Sequence, residues 1–133
     1  MSERRHAGIG RVLIAVYAVL ALAATGRSLV QIVQRFDEAP FAYALSAVAA
    51  VVYIVATVAL AMRSDAARAV ALAAVCFELV GVVVVGTLSL VSPELFAHDT
   101  VWSRFGMGYL FIPAVLPFLG LWWLRASRER VAA

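Results

Sequence analysis

Lysine is absent from this chain, cysteine occurs once and histidine twice, and charged residues of all kinds fill only 14% of its 133 positions. Each shortage closes off a class of protein. A water-soluble domain carries about 25% charged residues to cover its surface, and this chain has too few to do so. The single cysteine, Cys76, cannot form an intrachain disulfide, which excludes disulfide exchange within the chain. Its expected role is that of a small apolar packing residue. The histidines, His6 and His98, fall outside the apolar stretches, which argues against an intramembrane haem held by two histidines. His98, Asp99 and Glu94 are scattered along one loop and lack the spacing of a metal site. The eleven basic residues, all arginine, form no run suited to nucleic acid. No nucleotide-binding loop or nucleophile constellation is present, so the sequence supports no enzyme activity and implies no cofactor.

What fills the chain instead is apolar residue, 65% of the total. Four apolar segments stand out, at about 12–33, 41–62, 69–91 and 106–124. Each approaches the ~20 residues that an α-helix needs to cross a ~30 Å hydrocarbon core. Helix punctuation agrees. Asp37, Glu38 and Pro40 precede the second segment, where acids and proline suit a helix start. Ser64 and Asp65 are placed to cap the third. Ser92-Pro93-Glu94 closes the third segment and opens a short turn through Phe96. Asp99 or Thr100 is the expected cap of a helix leading through Trp102 into the fourth. The expectation is an all-α membrane protein, a single domain built as a four-helix antiparallel transmembrane bundle.

Arginine asymmetry orients that bundle. Arg4, Arg5, Arg11, Arg63, Arg68, Arg125, Arg128 and Arg130 fall on one side, and only Arg27, Arg35 and Arg104 on the other, with Asp37, Glu38, Glu94 and Asp99. The arginine-rich side is expected to face the cytoplasm, which places both termini there and the protein in a bacterial plasma membrane. Trp122 and Trp123 read as an inner interfacial anchor and Trp102 as an outer one. An alternative reading takes residues 1–24 as a cleaved signal peptide, with Ala21-Leu22-Ala23 as its small-residue site. The apolar pattern that continues through Leu29, Val30, Ile32 and Val33 argues for a spanning helix instead.

Ionisable groups at membrane depth are functional candidates because each costs ~2.5–3.5 kcal/mol to insert. Glu78 lies nine residues into the third segment, about 13.5 Å along the helix and near the midplane. It shares a face with Ala67, Ala71, Ala74, Gly81 and Val85, the small-residue type of face that packs against neighbouring helices. Arg27 lies near the outer end of the first segment, with Gln31 and Gln34 extending its face. In the second segment Tyr43, Ser46, Ala50, Tyr53 and Thr57 repeat at the 3-4 spacing of one helical seam. Matching depths suggests two polar clusters: Tyr53 with Glu78 near the middle, and Arg27 with Ser46 and Tyr109 nearer the outside. Pro113 and Pro117, four apart, are expected to kink the fourth helix.

Phe77-Glu78-Leu79-Val80-Gly81, Gly86-Thr87-Leu88-Ser89-Leu90, Pro93-Glu94-Leu95-Phe96, Thr100-Val101-Trp102-Ser103 and Phe105-Gly106-Met107-Gly108-Tyr109 together resemble stretches of uncharacterised small four-helix integral membrane proteins of actinobacteria. The resemblance implies the four-helix topology and brings no activity. Small multidrug transporters are similar in size, but their key glutamate lies in the first helix, where this chain offers Arg27. Fluoride channels are similar in size too, without their polar motif here.

Two functions remain open on this reading. One is an accessory or interaction subunit, or a structural membrane protein, whose partners are the lipid bilayer and a membrane protein or further copies of itself. The other is a small oligomeric transporter or channel that uses Glu78 with Arg27 and the tyrosines. The candidate polar sites are Glu78, Arg27, Tyr53, Tyr43, Ser46 and Tyr109.

Overall fold

The computed structural model describes residues 2–35, 37, 40–62, 64–96, 100 and 102–132. Four α-helices dominate it: α1 (Ser2–Arg35), α2 (Pro40–Ala61), α3 (Asp65–Val91) and α4 (Ile112–Ala132). Among the described residues there is no strand. α1 packs on α2, α2 on α3, α3 on α4, and α4 returns to α1. Ala7–Gln34, Pro40–Ala61 and Asp65–Val91 are each long and apolar enough to cross a membrane.

The helix ends follow their local chemistry. Pro40 opens α2, where its missing N–H removes a donor that would have no intrahelical partner. Ser64 caps α3, its hydroxyl accepting the Ala67 N–H at 3.1 Å. Thr100 does comparable work for the loop that follows. Its hydroxyl accepts the N–H groups of Trp102 (3.2 Å) and Ser103 (3.1 Å), while its own N–H donates to the Ser103 hydroxyl at 2.8 Å. His98 and Asp99 lie outside the described residues.

The fourth segment departs from the expected continuous helix over 106–124. Residues Ser103–Tyr109 form tight turns, and a bend of 97° separates them from α4, whose described spanning part begins only at Ile112. Arg104, Phe105, Leu110 and Phe111 all hold positive φ, as does Gly106 at 84°. An L side chain in that region costs roughly 1–2 kcal/mol, so surrounding packing must hold the segment in place. Phe105 lies flat against Gly86, and Pro113 against Gly106, leaving no room for a Cβ at either glycine. The prolines are not what breaks the span. Pro113 sits in the first turn of α4, where a missing N–H is harmless, and only Pro117 lies in the helix interior. The break comes from the left-handed residues Leu110 and Phe111.

The core is made largely of alanine. Ala21 and Ala24 of α1, Ala42, Ala49, Ala50, Ala56 and Ala59 of α2, and Ala67, Ala71 and Ala74 of α3 are all buried. Small side chains let helix backbones approach closely, which is how helices associate where no hydrophobic effect acts between them. Many bulky aliphatic residues point the other way: Val12, Val19, Leu22, Val33, Val51, Val80 and Val91 are exposed, while Leu13, Leu20, Val75, Val82 and Leu116 join the core. Cys76 is exposed too, on the outward side of α3, so it is not the packing residue the sequence suggested.

Candidate functional site

Three buried groups with polar ends, Tyr17 of α1, Tyr53 of α2 and Glu78 of α3, meet inside the bundle. Glu78 is fully buried, on the same face as Ala67, Ala71, Ala74 and Val85. Its Oε1 accepts a hydrogen bond from the Tyr17 hydroxyl at 2.6 Å. Its Oε2 is buried and has no hydrogen-bond partner. The rings of Tyr17 and Tyr53 lie 6.2 Å apart in a tilted arrangement. Tyr53 does not bond to Glu78, as depth matching had suggested. Its hydroxyl accepts the indole N–H of Trp102 at 2.8 Å instead.

Trp102 is the residue whose role differs most from expectation. It is 2% exposed, and therefore a core residue and not an interfacial anchor. It enters from the loop between α3 and α4 and lies against Gly81, where a Cβ would come within 2.5 Å of Cζ3. Its ring meets Tyr53 edge-on at 6.3 Å. Gly81 stands one turn along α3 from Glu78, so the indole packs on α3 one turn away from the carboxyl. On α4, Gly120 faces the Tyr17 hydroxyl and Val75, leaving space for the tyrosine to reach Glu78.

The remaining candidates lie towards the end of the bundle marked by the Phe41–Phe96 ring contact, 5.6 Å between centroids. Arg27 donates to the Tyr109 hydroxyl at 3.5 Å, the long limit of a hydrogen bond, so these two are brought together weakly. Ser46 is buried on α2, and its hydroxyl has no hydrogen-bond partner; it does not join that pair. Tyr43 is buried on the same seam. Thr57 closes the seam by donating to the Tyr53 carbonyl at 2.6 Å.

At the opposite end Arg68 donates to the Leu124 carbonyl at 2.8 Å, and Trp123 lies against Gly10, tying α3 and α1 to α4. On the outer surface α2 and α3 splay into a groove of about 600 Å³, walled by Ala47, Val51 and Val55 on one side and Val70, Ala74 and Phe77 on the other. Its lining is wholly apolar, and Glu78 is not part of it.

Of the residues at this site, the sequence did not single out Tyr17 and read Trp102 only as an interfacial anchor. The signal for Tyr17 was its depth. α1 is helical from Ser2 with its spanning part starting at Ala7, and α3 starts at Asp65. Counted from there, Tyr17 lies about 15 Å along α1 and Glu78 about 19.5 Å along α3, within roughly one turn of each other. Comparison with protein-family models, curated proteins and solved structures found no match to this chain.

Proposed function

We propose that this chain is a multi-pass integral membrane protein of a bacterial plasma membrane, acting as an accessory or structural subunit and not as a carrier. The four segments run antiparallel, with the broken segment and α4 forming the fourth layer. The Trp123 end faces the cytoplasm with both termini, as the arginine distribution requires. Kinship with the actinobacterial four-helix proteins belongs to the same proposal.

The observation that carries this reading is the enclosure of Glu78. A carboxyl that carries ions must open to water on each side in turn. This one is fully buried, with one oxygen committed to a 2.6 Å hydrogen bond from Tyr17. Such a group acts as interhelical glue, ~0.6 kcal/mol on average in membrane bundles. The broad exposed apolar surface, with the α2–α3 groove in it, supports association with lipid and with another membrane protein. The orphaned Glu78 Oε2 favours the second reading, a small transporter or channel, because a buried acceptor without a partner marks a place for a ligand.

Accessibility separates them. A single cysteine at position 78 in a Cys76→Ala background is expected to resist membrane-impermeant thiol reagents from both sides of intact membranes. Labelling that responds to an added ion would overturn the subunit reading in favour of transport.

A further inference from the structure

Three features at the centre of the bundle are unexplained by a purely structural role for Glu78. Its Oε2 is buried without a partner, although buried polar atoms are almost always satisfied. Tyr53, whose ring lies 6.2 Å from that of Tyr17, accepts the Trp102 N–H on its hydroxyl oxygen, a bond that does not use its own hydroxyl hydrogen. And the indole that bonds to Tyr53 and packs on Gly81, one turn from Glu78, comes from a loop, on a segment held at positive φ in several places. Irregular backbone inside a membrane protein is tolerated where it is packed against protein or lines a cavity. Here it is packed, with Trp102 on Gly81 and Phe105 on Gly86.

We propose that Glu78, Tyr17 and Tyr53 form a buried site for one exchangeable proton, closed on the Phe96 end by Trp102. The ligand is of water size, a proton carried in and out by water, and Trp102 with its turn segment is the plug. Tyr17 holds Oε1 by donating to it, so the exchangeable hydrogen belongs on Oε2. Tyr17 of α1 bonds the carboxyl, Tyr53 of α2 packs on Tyr17, Trp102 of the loop packs on Tyr53, and Gly120 of α4 lies beside the Tyr17 hydroxyl. No described hydrogen bond or ion pair links Glu78 to an arginine or histidine, so nothing there competes for the carboxyl as a fixed counter-ion. Exchange breaks the carboxyl O–H bond and forms a new one from solvent, with one hydrogen leaving as another arrives and no net change of charge.

This inference goes beyond the subunit reading and does not depend on it. The Glu78→Cys variant can exclude thiol reagents whether or not the plug moves. The test is hydrogen–deuterium exchange of the carboxyl itself, followed by infrared spectroscopy of the full-length protein in lipid. A protonated-carboxyl band that Glu78→Gln removes is expected in wild type, shifting slowly in deuterated buffer. In Trp102→Ala it should shift at least about tenfold faster, since the covering side chain is gone and local opening is no longer required. Trp102→Phe keeps a ring and loses the N–H bond to Tyr53, and a rise of a few-fold, on the order of one hydrogen bond, is expected. Absence of a Glu78-dependent protonated band overturns the proposal, and so does an exchange rate that Trp102→Ala leaves unchanged. Should Trp102→Ala lose its helical circular dichroism, Trp102→Phe decides alone: a rate equal to wild type overturns the plug.

Discussion

At the scale of single residues, the Tyr17–Glu78 bond concentrates the polar free energy of the bundle. Tyr17→Phe leaves a fully buried carboxyl with both oxygens unsatisfied. The expected loss is about 1–2 kcal/mol, towards the upper end of what membrane hydrogen bonds deliver because an orphaned acceptor costs more than a bond gains. Glu78→Gln keeps an oxygen for Tyr17 to donate to and should cost less, within about 1 kcal/mol. Removing both partners tests the asymmetry. Tyr17→Phe with Glu78→Leu should be more stable than Tyr17→Phe alone, measured by reversible denaturation in mixed micelles. A double variant less stable than that single one would mean the bond is not what ties these residues together.

At the scale of elements, glycine marks where helices and loop meet. Gly81→Ala places a Cβ within 2.5 Å of the Trp102 ring, and that ring is wedged against Tyr53 with nowhere to move. Overpacking of this kind costs about 1–3 kcal/mol. Gly26 in α1 has nothing within 4 Å of a Cβ. Gly26→Ala should therefore be neutral or gain up to ~1 kcal/mol from helix propensity. The pair is read by thermal unfolding in detergent, and equal effects at the two sites would remove the argument that Trp102 closes on α3. The turn segment makes the complementary prediction. Leu110 holds φ 58° and is exposed, so Leu110→Gly should raise stability by about 1 kcal/mol, because glycine adopts that conformation without a Cβ clash.

At the scale of the whole molecule, alanine-lined contacts inside and branched aliphatic residues outside invert the soluble pattern. The inversion is what a bilayer demands, since lipid tails are as apolar as leucine and only close packing distinguishes helix from lipid. Topology is the matching test. Single cysteines added at the N-terminus, within the α2–α3 connection and at the C-terminus, in a Cys76→Ala background, should be reached by impermeant reagents from the cytoplasmic side only. One placed between α1 and α2 should be reached from the other side. Any of the first three labelled from outside would overturn the proposed orientation.

Sequence alone determined the coarse architecture. Charge scarcity and the length of the apolar runs determine that Pro40–Ala61 and Asp65–Val91 are apolar helices long enough to cross a bilayer, because unsatisfied backbone groups are intolerable in lipid whatever the neighbours. Ser64 and Pro40 mark helix starts by local chemistry that needs no tertiary partner. Glu78 stood out for the same reason, a charge-bearing residue in an apolar run. Its partner did not. Which tyrosine reaches it depends on how α1 and α2 pack against α3: Tyr17 bonds the carboxyl, while Tyr53 is taken up by Trp102. The burial of Trp102 and the bend at Leu110 and Phe111 were decided only by packing: Gly81 and Gly86 make the hollows that the loop's rings fill, and contacts between residues far apart in the chain hold backbone angles that no local preference favours.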